Sequence, residues 1–228
     1  MKTRSRLLLL LCATALTAGW AAGPEKVLVI GDSMMIVTAH ATKLALEKRG
    51  IKHVETTTKL GTGLARLDAY DWMATIDEHV KTFDPDVSLV WFGTNDRQPM
   101  KTDQGIVDVD DAAWEAEYGK RIGQVMDKLT ARDGTRVVWL GLPLMKDAAI
   151  NKEVELINGI AKREADKRES VTYMETQPLL SRKADKFSAY LIGSNGRPIK
   201  VRESDGIHLS RAGADLVAEA FATSITTP

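Results

Sequence analysis

The feature that most constrains this chain is a regular alternation of two kinds of segment. Short apolar runs with β-branched content recur at Lys26 to Ile30, His53 to Thr57, Val87 to Phe92, Arg136 to Leu140 and Val171 to Met174. Between and after them lie longer stretches with helical spacing: Met34 to Lys48, Tyr70 to Phe83, Asp111 to Ala131, Ala148 to Arg168 and Arg211 to Ser224. Strands separated by helices of this length cannot pair as hairpins, so the crossovers imply a parallel sheet covered on both faces. The expectation is an α/β chain, a three-layer α/β/α sandwich around a doubly wound parallel sheet of about five strands. Turn residues fall where that plan needs them. Gly50 can stop the first helix, Asp84-Pro85 precedes the third strand and Asp133-Gly134 the fourth.

The first residues stand outside this pattern. Lys2, Arg4 and Arg6 precede an apolar segment from Leu7 to about Ala18, and small residues follow as far as Gly23. This reads as a secretory signal peptide over residues 1–21, cleaved after Ala21, leaving residues 22–228 as a single exported domain, periplasmic or secreted. The apolar run is shorter than the roughly 18 to 20 residues that span a bilayer, so no stable membrane span is expected after cleavage. Cys12 is the sole cysteine and lies inside the signal; Leu11 precedes it where a lipoprotein signal needs a small residue. The mature chain would then lack a thiol, which excludes disulfides, thiolate catalysis and cysteine zinc sites. Losing three basic residues leaves 28 basic against 31 acidic side chains, with no basic patch for a nucleic-acid partner. At 228 residues and 44% apolar, the chain supports one sizeable core and not a second full domain.

Two segments depart from a minimal βα repeat. Arg97 to Asp110 is irregular and acidic, long for such a connection, and leaves the same strand end as Asn95, so it is expected to overhang whatever binds there. Phe187 to Arg202 reads as two short extended runs around the hairpin-like turn Gly193-Ser194-Asn195-Gly196.

In an open α/β sheet, ligands bind beyond the carboxyl ends of the strands. Gly31-Asp32-Ser33 follows the first strand and opens the first helix, a place where a serine hydroxyl is presented at the sheet rim. The same tripeptide is also an ordinary turn with an ordinary N-cap. Gly61-Thr62-Gly63 and Gly93-Thr94-Asn95-Asp96 follow the second and third strands, and Asp205-Gly206-Ile207-His208 precedes the last helix. Together they supply the parts of an acyl-transfer site. Ser33 would be the nucleophile, His208 its base and Asp205 the group that orients the histidine. The backbone N–H groups of Ser33 and Gly63 and the side-chain amide of Asn95 would face the developing oxyanion. Asp32 and Asp96 are expected to support the turns by bonding backbone rather than to react.

Other features have plainer readings. His40, His53 and His79 fall on elements where histidines pack or face solvent, and no metal-ligand spacing joins them. No metal or cofactor is expected. Gly61-Thr62-Gly63 lacks both the third glycine of a dinucleotide loop and the Gly-Lys-Ser/Thr of a phosphate loop. A Gly-x-Ser-x-Gly elbow is also missing. Trp91, inside a strand, reads as core, whereas Trp72 and Trp114 lie near rim loops and fit either core packing or a sugar-stacking platform.

In this order, Gly31-Asp32-Ser33, Gly63, Gly93-Thr94-Asn95-Asp96 and Asp205-Gly206-Ile207-His208 resemble the SGNH (GDSL-type) hydrolases, over about Lys26 to Phe221. Thr62-Gly63-Leu64-Ala65-Arg66 with Asp71-Trp72, and Asn95-Asp96-Arg97-Gln98, resemble a bacterial exported branch of that family. Met34 stands where many members carry leucine, a near-isosteric change. The resemblance implies a flavodoxin-like sandwich with a metal-free serine esterase site. The expected function is an exported esterase acting on small O-acetyl-type esters of a small molecule or an envelope carbohydrate. Two alternatives use the same scaffold: an O-acetyltransferase acting on polysaccharide or peptidoglycan, and a non-catalytic glycan-binding protein. Nothing in the sequence sets the oligomeric state.

Overall fold

The computed structural model describes residues 23–227, so the expected signal peptide lies outside the described residues. The central strands are β1 (Lys26–Gly31), β2 (His53–Thr58), β3 (Val87–Trp91), β6 (Arg136–Leu140) and β7 (Val171–Met174). They form one five-stranded sheet in the order β2-β1-β3-β6-β7, with every pair parallel. The helices are α1 (Ser33–Glu47), α2 (Trp72–Thr82), α3 (Trp114–Leu129), α4 (Ala148–Ala165), the single turn α5 (Gln177–Leu180) and α6 (Arg211–Thr226). Two small hairpins complete the chain: β4 (Met100–Thr102) with β5 (Gly105–Val107), and β8 (Tyr190–Ile192) with β9 (Pro198–Lys200).

The sheet order explains the layering. The chain steps from β1 outward to β2, then returns past β1 to β3 and continues to β6 and β7. Right-handed crossovers place α1 on one face and α2, α3 and α4 on the other. Accordingly α1 packs on α6, and α3 packs on both α2 and α4. Val27 to Ile30 and Leu89 to Trp91 are fully buried between the layers, as near-continuous apolar strands of an internal parallel sheet must be. The reversal of direction occurs at β1 and β3, whose carboxyl ends carry Ser33 and Asn95.

Three local expectations change. The sheet is not covered to its edge: no residue of β2 is fully buried, and His79 of α2 bonds Thr57 and Glu55 across it at 2.8 and 3.0 Å. The segment from Arg97 to Asp110 is not wholly irregular but folds back on itself as β4 and β5, whose three-residue strands are too short for an alternation signal. The turn α5 has no periodic signature for the same reason; Pro178 sits in its first turn, where a missing N–H costs nothing.

Candidate active site

Ser33 is placed by what surrounds Asp32. The backbone N–H of Asp32 bonds Trp91 O at 3.1 Å, continuing the β1–β3 ladder one residue beyond the strand. Its side chain then caps α1, accepting from Met34 N at 2.9 Å, and reaches across to accept from Gly93 N at 3.0 Å and Thr94 Oγ1 at 3.2 Å. One buried carboxylate therefore locks the Ser33 turn to the loop that carries Asn95. Burial pushes the Asp32 carboxyl up to about 7, with the charge of Asp96 adding to the effect and the three donors opposing it. Ser33 opens α1, where backbone N–H groups have no intrahelical partner and point outward with the positive end of the helix dipole.

The Gly63 loop is gripped from several sides. Asp96, fully buried, accepts from Ala65 N at 2.8 Å and from the Tyr118 hydroxyl at 2.7 Å. A β-carbon at position 63 would run into that carboxylate, so glycine is required there to let Asp96 close against the loop. Burial raises the Asp96 carboxyl above its ordinary value, against the pull of its backbone donors, Tyr118 and Arg121. Asn95 Nδ2 donates one hydrogen to Thr62 O at 3.0 Å, which fixes the amide plane while its second hydrogen remains for another acceptor. Gln98 Nε2 in turn donates to Asn95 O.

The third part is the loop before α6. His208 Nε2 lies 2.8 Å from Ser33 Oγ, and His208 Nδ1 lies 2.7 Å from Asp205 Oδ2. The ionised carboxylate only accepts, so the proton sits on Nδ1 and leaves Nε2 to receive the serine hydrogen. Asp205 Oδ1 accepts from Ile207 N and His208 N at 2.8 and 3.0 Å. Partial burial would raise this carboxyl, but the His208 ring and the two backbone donors outweigh it and hold it at about 2. The structure thus brings Ser33, His208 and Asp205 into one hydrogen-bonded chain, with Gly63 and Asn95 on neighbouring loops tied together through Thr62 and Asp96.

Two buried arginines that the sequence did not single out hold these loops. Arg121 of α3 donates to Leu64 O and Ala65 O at 2.8 and 2.9 Å and to Lys101 O at 2.6 Å, joining the Gly63 loop to the β4–β5 hairpin. Arg202 lies under the His208 loop, donating to Leu144 O and Ile207 O at 2.8 Å each. Burial lowers its guanidinium to about 10, with the charge of Asp205 acting the other way. Neither has a spacing signal, because each joins segments far apart in sequence: Arg121 reaches the Gly63 loop and the hairpin, and Arg202 ties Leu144 to the His208 loop. The open question over two tryptophans closes in favour of packing. Trp72 and Trp114 are 0% and 1% exposed, and their N–H groups donate to Thr62 Oγ1 and Gln98 O. Both brace rim loops from below and offer no face to a sugar.

A serine at the first βα turn, a glycine and an asparagine on the next two strand ends, and an Asp-x-x-His loop closing on the serine are gathered at one rim of an α/β/α sandwich, the fold of solved SGNH hydrolase structures. Solved structures share this fold. A protein from Slackia heliotrinireducens assigned to the SGNH hydrolases matches with a TM-score of 0.60 and 15% identity over 86% of this chain and 96% of its own. The C-terminal catalytic domain of peptidoglycan O-acetyltransferase A from Streptococcus pneumoniae gives 0.57 and 16% over 90% and 95%. A carbohydrate esterase gives 0.57 and 13% over 90% and 69%. The chain belongs to the family described as "Protein of unknown function (DUF459)", which matches residues 26–224. No curated protein matches it in sequence.

Proposed function

We propose that this protein is an exported serine esterase that hydrolyses small acyl esters of the O-acetyl type on envelope carbohydrate. The single observation that carries the reading is the unbroken chain Asp205–His208–Ser33, with both links within hydrogen-bonding range. Ser33 Oγ attacks the ester carbonyl carbon as its proton passes to His208 Nε2. The oxygen that becomes negative is received by the N–H groups of Ser33 and Gly63 and by the second hydrogen of the Asn95 amide. As the carbon–oxygen bond to the alcohol breaks, His208 returns the proton to the leaving oxygen and an acyl-serine remains. Water, deprotonated by the same imidazole, then releases the carboxylic acid and regenerates Ser33. Asp205 holds the imidazole in the required tautomer and stabilises its charged form.

Export is supported by the basic and apolar pattern of residues 1–21. Among the described residues no helix is long and apolar enough to cross a membrane. A carbohydrate-linked acetyl ester is supported by structural neighbours that include a peptidoglycan O-acetyltransferase domain and a carbohydrate esterase. The first of these also favours a second reading, in which the acyl-serine is taken by a sugar hydroxyl instead of water. Mass spectrometry of an O-acetylated oligosaccharide incubated with the enzyme separates them: loss of acetyl groups is expected, and mass gain from an added acyl donor would favour transfer. Ser33→Ala is expected to lower p-nitrophenyl acetate turnover by about a thousandfold or more without unfolding the protein. Wild-type turnover in that variant would overturn the assignment.

A further inference from the structure

Two cavities on the α4 side of the molecule have a pair of lining side chains in common. The smaller, about 120 Å³, is lined by Gly93 and Thr94, which precede Asn95, and by Ile207, which precedes His208. Leu142, Met145, Ile150, Val154 and Ile157 make the rest of its wall apolar, with Glu153 as its one charged residue. The larger, about 450 Å³, lies farther along the sheet beside α4 and β7, bordered by Asn158, Gly159, Tyr173 and Gln177. Leu142 and Val154, each 4% exposed, line both cavities.

The segment that presents Leu142 is pinned at almost every backbone group. Asn158 accepts from Leu142 N and donates to Leu142 O, both at 2.8 Å. Asn151 does the same for Met145, at 2.7 and 3.1 Å. Gln177 accepts from Leu144 N at 2.9 Å, and Arg202 donates to Leu144 O at 2.8 Å. Backbone held this fully does not drift aside for a longer ligand. The floor is equally tight: Gly93 has φ +137°, and a β-carbon there would press on Leu142 and Ile157.

Resting on the esterase reading, we infer that the smaller cavity receives the acyl group and that Leu142 and Val154 form a fixed partition limiting its length, with the larger cavity as unused space behind it. A cavity of roughly 150 Å³ lined by aliphatic and aromatic groups holds benzene, so this one has room for an acyl chain of about four carbons. Acetyl, propionyl and butyryl esters fit; an octanoyl chain must breach the partition. The substrate class is therefore short-chain acyl esters, and the selectivity resides in these two side chains.

The test is a panel of p-nitrophenyl esters from acetate to octanoate on the wild type, Leu142→Ala, Val154→Ala and Leu142→Ala with Gly159→Phe, with thermal melts to show that each is folded. A β-carbon at Gly159 meets only the Arg163 guanidinium at ordinary contact distance, so a phenylalanine there enters the larger cavity from α4. The wild type is expected to favour acetate over octanoate. Leu142→Ala should raise the octanoate-to-acetate ratio of kcat/KM by about tenfold or more, the scale on which a methylene in an apolar pocket discriminates. Adding Gly159→Phe should return the ratio towards wild type. Val154→Ala, a smaller truncation, gives the same reading if Leu142→Ala does not fold. An unchanged ratio in a folded truncation variant, or wild-type octanoate turnover equal to acetate, would overturn the partition and leave the esterase reading intact. Absence of turnover on every ester, with Ser33 unreactive toward a fluorophosphonate, would overturn the esterase reading and the partition with it.

Discussion

Ser33, Gly63 and Asn95 stand on a buried polar frame, whereas the Asp205–His208 pair stands in an exposed loop. Asp32 and Asp96 are 0% exposed, while the side chains of Asp205 and His208 are 46% and 34% exposed. The carboxylates respond in opposite directions. Asp32 and Asp96 are raised by loss of water, and Asp205 is held near 2 by donors that outweigh its partial burial. The contrast shows two ways of fixing a reactive geometry. The frame spends carboxylates as internal hydrogen-bond acceptors for backbone that could not otherwise be satisfied, and so carries a titratable burden. The loop keeps its carboxylate wet and ionised through the neutral range, where it can steady a histidine that gains and loses charge.

That difference can be broken from either side, and the largest effect belongs to the exposed loop. His208→Ala removes the proposed base without disturbing packed core. It should cost about a thousandfold or more in ester turnover while the melting temperature stays close to wild type. A matching loss of stability would mean that the loop is part of the frame after all. On the buried side, Asn95→Ala should cost roughly a hundredfold through loss of the proposed oxyanion donor, falling on kcat more than on KM.

Gly63→Ala sharpens the comparison further. The added methyl collides with Asp96 and must displace either the carboxylate or the loop, so turnover should fall by about tenfold to a hundredfold together with a lowered melting temperature. Turnover lost with stability intact would place the strain in the loop alone.

The smallest effect is a pH dependence of stability. The folded pKa of Asp32, about 7, lies above its ordinary 3.8, so the folded protein holds this proton more tightly than the unfolded chain does. The resulting stabilisation is complete below about pH 4 and is lost as pH rises through 7. Asp32→Asn, which cannot ionise, should melt below wild type at pH 5 through its lost acceptor oxygen. The gap should narrow by several degrees towards pH 8, at about 2–4 °C per kcal/mol for a chain of this size. Parallel profiles in thermal melts would remove the buried burden from the account.

Much of this was readable from sequence because strand ends advertise themselves. Five apolar runs and their intervening helices gave the parallel sheet, and Ser33, Gly63 and Asn95 follow three of those runs closely enough that the topology had to gather them. Asp205 and His208 were legible as a local pair. What was hidden acts across distance. Arg121, Arg202 and Tyr118 sit on or beside elements whose periodicity says only which face is buried, and each has a carbonyl or carboxylate partner in a segment distant in the chain: Leu64 for Arg121, Leu144 for Arg202 and Asp96 for Tyr118. Trp72 and Trp114 looked like rim residues because their neighbours are loops, yet their rings close the underside of those loops. The β4–β5 hairpin escaped because three residues cannot display an alternation.

The central claim is that Ser33 is activated by His208 at one mouth of the sheet, and intact-mass analysis after fluorophosphonate treatment tests it most directly. The account predicts one adduct per chain, mapped to Ser33, absent in Ser33→Ala and formed far more slowly in His208→Ala. A folded wild-type protein that stays unmodified, or an adduct on another residue, would contradict it.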